Sequence, residues 1–108
     1  MSLWPDWRAL AHVRDDRPDV NLLHESAELK VVLVALAAGQ SLPEHAGPAA
    51  CFHILDGQGV IVVGDDHVPV SAGATVVVPT GLVRAVHAST SLVFLGNLGN
   101  PASEDSPH

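Results

Sequence analysis

An all-β fold is predicted for this 108-residue chain: an antiparallel double-stranded β-helix, or jelly-roll barrel, with a short N-terminal helical segment. Three observations carry that expectation. From residue 20 onward, β-branched segments alternate with Gly, Pro, Asp and Asn, the pattern of strands and turns. All but one of the connections are only two or three residues long, which suits antiparallel hairpins better than βαβ crossovers. Hydrophobic residues make up 47% of the chain and charged residues 16%, enough apolar surface for one packed core and too little charge for a disordered chain.

Taken in order, residues 4–12 place Trp4, Trp7, Leu10 and Ala11 near i, i+3, i+7 spacing, and Pro5 suits the first turn of a short helix. Strands are expected at 20–25, 28–37, 51–55, 59–64, 67–70, 74–78, 82–88 and 91–97. The turn signals between them include Gly57-Gln58-Gly59, Gly64-Asp65-Asp66 and Ser71-Ala72-Gly73. Closing such strands into a barrel removes exposed sheet edges. The stretch from Val31 to Ala38 is apolar but far too short to cross a membrane as a helix, and reads as a buried strand. Residues 100–108 hold no apolar anchor and are expected to form a flexible tail. One domain is expected: an N-terminal segment over 1–18, the barrel over 19–99 and the tail.

Charge narrows the partners. The net charge is −7 with five Lys plus Arg, so the basic footprint of a nucleic-acid or anionic-membrane binder is missing. Cys51 is the single cysteine and cannot close an intrachain disulfide. A start without a basic, apolar leader gives a cytoplasmic location as the expectation. A chain this small gains from assembly, and a homodimer is expected.

Two glycine-bounded stretches carry the functional signal. The first runs from Gly39 through Pro43 and His45 to Gly57, and the second is Gly73-Ala-Thr-Val-Val-Val-Pro79-Thr-Gly81 followed by Arg84. Together they resemble the two motifs of the cupin family, over about residues 30–98. The resemblance implies a barrel in which histidines and a glutamate from the first motif and a histidine from the second hold a metal. Here His45 keeps the first histidine position, Gly47 stands at the second, Ala50 at the glutamate and Arg84 at the last histidine. The scaffold residues are present and most of the ligands are not.

Counting back from Gly57 puts Ala50, Phe52 and Ile54 on one face of a strand, and Cys51, His53 and Leu55 on the other. The more apolar set should face inward. Arginine offers five donors and no lone pair, so Arg84 argues against a divalent cation. The candidate ligand-contacting residues are therefore His45, Arg84 and Phe52, with no metal cofactor expected. Arg84 has two alternative readings: neutralised internally by Glu44, Glu25 or Glu28 with no ligand, or reaching out to the barrel mouth to pair with a surface acid.

A shift of one residue in the loop before Cys51 would turn Cys51 and His53 inward. His45, Cys51, His53 and His87 would then offer a nitrogen and sulfur set suited to a divalent transition metal. Three function classes follow: a metal-free barrel binding a small organic molecule, possibly a carboxylate; a metal-dependent dioxygenase or isomerase; and a structural or dimerising module with a filled interior. Whether a reaction is catalysed stays open at this level. Trp4 and Trp7 are expected to cover an open end of the barrel or to pack on a second subunit.

Overall fold

The computed structural model describes residues 1–99; the expected tail lies outside the described residues. Among the described residues nine strands form: β1 (Asp19–Glu25), β2 (Leu29–Leu36), β3 (Ser41–His45), β4 (Ala50–Asp56), β5 (Gln58–Val63), β6 (Asp66–Ser71), β7 (Thr75–Val78), β8 (Arg84–Ala88) and β9 (Leu92–Gly99). They build a five-stranded sheet in the order β1-β2-β9-β4-β7 and a four-stranded sheet in the order β3-β8-β5-β6. Every pairing is antiparallel. The all-β jelly roll expected from the sequence is the fold of the chain.

Two expectations about the elements themselves need correction. Residues 4–12 form no α-helix, only a 3-10 turn over Trp7–Ala9, capped by the Asp6 carboxylate accepting from the Arg8 amide. So short a segment gains little from helix formation, and one turn suffices to lay its apolar residues on the sheet. The described residues also form nine strands and not eight, because β3 forms around Pro43. Proline removes a ladder donor and reads as a break, yet it is tolerated here because β3 is an edge strand. The β3–β8 register slips between Leu42 and His45, beside Pro43.

The sheets face each other across a core built from Val34, Leu36, Phe52, Ile54, Ile61, Val78, Val86, Leu92 and Phe94. Phe52 and Phe94 meet edge to face with centroids 5.7 Å apart, the geometry favoured by ring quadrupoles. A second, smaller core lies on the outer face of the five-stranded sheet. There Leu33, Ala35 and Val93 are buried, with Trp7, Leu10, Ala11 and Leu23 packed against them. Trp7 thus covers the back of the sheet, not an open end of the barrel. This explains the uninterrupted apolar run of β2: its C-terminal half, Leu33 to Leu36, is buried on both faces.

The N-terminal cover is tied down through Asp19, which is buried. Its carboxylate accepts from the His12 amide at 2.9 Å, from Asn21 Nδ2 at 3.0 Å and from Arg14 Nε at 3.3 Å. The His12 amide is the leading reason the carboxyl sits below its usual range; the Asn21 and Arg14 contacts add to it, while desolvation works in the opposite direction. No helix among the described residues is long and apolar enough to cross a membrane.

Candidate functional site

The candidate site is where β3 and β8 bring the two glycine-bounded stretches together. In the β3–β8 ladder His45 lies directly opposite Arg84. On β8, Arg84, Ala85 and Val86 are all buried and border the cavity, while His87 is exposed. On β4, Ala50, Phe52 and Ile54 are buried and Cys51 and His53 lie on the opposite face, as the alternation predicts.

Between the sheets at this end is a cavity of about 250 Å³. Its wall is mostly aliphatic and aromatic, with Val32, Val34, Leu42, Phe52, Val86 and Phe94 prominent. The polar side chains on it are Lys30, His45 and Arg84. Lys30 enters from β2, opposite Leu98 on β9 and Glu25 on β1. The cavity opens towards a neighbouring hollow lined by Glu25, Lys30, His45 and the loop Ala46-Gly47-Pro48. Val20 also borders the cavity, and it and Leu22 on edge strand β1 are each 56% exposed.

Arg84 is 1% exposed and is the largest fully buried side chain. Its burial corrects the expectation that the side chain reaches out to the surface at the barrel mouth. Nη1 donates to the Pro48 carbonyl at 2.7 Å, Nη2 to the Gly47 and Pro79 carbonyls at 3.3 Å each, and Nε to the Leu82 carbonyl at 3.0 Å. Backbone oxygens from both motif loops surround the guanidinium, which answers the cost of burying it. His45 is exposed at the mouth, with Nδ1 at 3.1 Å from the Pro43 carbonyl.

The residues present do not fit the metal that the family resemblance implies. His45 brings one imidazole, Gly47 has no side chain, Ala50 offers a methyl group, and the fourth position holds a permanent cation. A Cβ at position 47 would stand 3.7 Å from Arg84 Nη1 and 3.9 Å from His45 Cδ2, so the guanidinium lies in van der Waals contact with the second ligand position. The alternative set is not brought together either. Cys51 and His53 pair across the ladder with Val77 and Thr75, and His53 Nδ1 is bonded to Thr75 Oγ1 at 2.8 Å. His87 lies outside the barrel, with Nδ1 2.6 Å from Ser41 Oγ. The register that keeps Phe52 and Ile54 in the core is what holds Cys51 and His53 out. Among the described residues no group of three or more His, Cys, Asp or Glu could hold a metal ion.

Lys30 was not among the candidate residues drawn from sequence, though a signal for it existed: it shares the inward parity of Val32, Val34 and Leu36. A larger hollow, about 540 Å³, lies on the outer face of the five-stranded sheet between Trp4, Trp7, Leu23 and Leu33, and none of His45, Phe52 and Arg84 borders it.

A cupin domain model matches residues 32–95. No curated protein matches the chain. Among solved structures, an RmlC-like cupin protein from Desulfovibrio desulfuricans shares 30% identity at a TM-score of 0.81, over 92% of this chain and 96% of that one. A conserved protein of unknown function from Streptococcus pyogenes gives a TM-score of 0.85 at 24% identity, covering 94% of this chain and 90% of that one. A cupin superfamily protein from Desulfitobacterium hafniense gives 0.81 at 20% identity, covering 85% of each chain.

Proposed function

The chain belongs to the cupin family, and from that premise we propose that it is a binding domain whose barrel cavity takes a small, largely apolar organic molecule bearing one acidic group, without a metal. One observation carries the reading: the cavity is apolar, and Lys30, His45 and Arg84 are its polar side chains. At about 250 Å³ it is close to the lower end of the range for small-molecule sites, and larger than the ~150 Å³ apolar cavity known to accept benzene. A ring or short chain fits the wall, and an acidic group at the mouth meets Lys30 and His45. Arg84 spends its donors on the loops that frame the cavity, and adds a fixed positive charge beneath the acid. A direct Lys30 contact of this kind contributes about 1.5–3 kcal/mol.

The cavity also speaks against a barrel filled wholly by its own side chains, since voids larger than a water molecule are few in packed interiors. Metal-dependent chemistry finds no support in the side-chain geometry, because Cys51, His53 and His87 face away from His45.

A thermal-shift panel tests the reading, using benzoate, hexanoate and related acids beside their neutral amides. A saturating acid should raise Tm by several degrees, because a domain of this size moves roughly 4–8 °C per kcal/mol of ligand stabilisation. Benzamide and hexanamide should act more weakly by the loss of the charged contact. Equal shifts with acids and amides would remove the acidic group from the proposal, and no shift with any compound would sink it.

A further inference from the structure

We propose that Arg84 is a built-in multidentate clamp: it positions the cavity mouth by holding the β3–β4 loop against the β7–β8 loop, the task for which a bound cation would otherwise be needed. The clamp holds whether or not a ligand binds. Its geometry is on the two loops. From one buried guanidinium, Nη1 and Nη2 reach Pro48 and Gly47 of the first loop, and Nη2 and Nε reach Pro79 and Leu82 of the second. A direct backbone bond, Gly81 amide to Gly47 carbonyl at 2.9 Å, closes the same junction. Immediately beside it the Gly99 amide bonds to the Ala49 carbonyl at 2.8 Å, which joins the end of β9 to the first loop.

The chemistry suits the task. Carbonyl oxygens converging on one point need a cation with several donors, and a planar guanidinium supplies them in fixed directions. Arginine stays protonated across the accessible pH range, so the clamp requires neither metal nor a particular pH. Its position against the strand carrying His45 leaves a divalent cation facing a fixed positive charge at contact distance. The residue that ties the mouth is therefore also the one that bars a metal from it. An ammonium could keep the charge but not reach carbonyls in these separate directions at once.

Amide hydrogen exchange resolved by NMR tests the clamp on the wild type, Arg84→Met and Arg84→Lys. In Arg84→Met the Gly81 and Gly99 amides should exchange at least about tenfold faster, since local opening exposes them without global unfolding. The amides of Gly73 and Ala88, bonded to Ile54 and Gln40 away from the junction, should stay within about twofold. Arg84→Lys should recover only part of the protection. Should Arg84→Met fail to fold, Arg84→Lys alone carries the test and must show the same localised acceleration. Acceleration spread evenly over all four amides, no acceleration, or full protection with lysine would each overturn the clamp.

Discussion

At the scale of single residues, two positions show how local chemistry fixes this fold. Gly57, between β4 and β5, has φ 86, and a Cβ there would collide with the Ser91 carbonyl. Gly57→Ala adds both strain and a backbone clash, and should cost more than about 2 kcal/mol in a urea titration. Asp19 titrates below its usual range in the folded state, chiefly through the His12 amide. A carboxyl with a depressed folded pKa contributes stability that is present above its unfolded pKa and lost as pH falls through the folded one. Acid unfolding of the wild type should therefore show a loss that Asp19→Asn does not, and Asp19→Asn should already be less stable at neutral pH. Parallel acid limbs for the two proteins would contradict this account. The burial of Arg84 was not legible beforehand, because the backbone carbonyls that accept from its guanidinium leave no signature in the sequence.

At the scale of elements, alternation carried most of the legible information. On β4 the period of two separates Ala50, Phe52 and Ile54 from Cys51 and His53, and the structure follows it. Cys51→Ser and His53→Ala, singly or together, should leave acid binding within about twofold of wild type in calorimetry, since contacts on the outer face add little to an interior site. A loss of tenfold or more would return the cysteine and histidine set to consideration. Strand β3 was illegible for a physical reason: Pro43, among mostly exposed residues, suits only an edge, and an edge is assigned by the sheet, not by the segment. Lys30 was legible and unread, its charge standing at an inward position of an otherwise apolar strand. The N-terminal turn was over-read as a helix because its spacing fits a single turn lying on the sheet as well as it fits a longer helix.

At the scale of the whole molecule, the five-stranded sheet works on both faces. Its inner face makes the barrel core and the cavity, and its outer face carries the N-terminal segment. Turn spacing and the glycine framework were enough to foresee the architecture, because closure of many short antiparallel strands has few solutions. The function was less legible, since this fold hosts sites that depend on a handful of substituted positions. Phe94 joins the two levels, being both core and cavity wall. Phe94→Ala should cost about 3–5 kcal/mol in stability, measured by denaturant unfolding, as large-to-small core changes do. A cost below about 1 kcal/mol would mean that the cavity end of the barrel is loosely packed.

The central claim is that the barrel cavity is a binding site for a small acid. Calorimetric titration of benzoate into the wild type and into Leu42→Trp, whose added ring would fill the cavity, tests it most directly. One-to-one binding by the wild type, abolished in Leu42→Trp and weakened more than about tenfold in Lys30→Met, is the predicted result. No heat with the wild type, or binding that the filled cavity leaves unchanged, would contradict it.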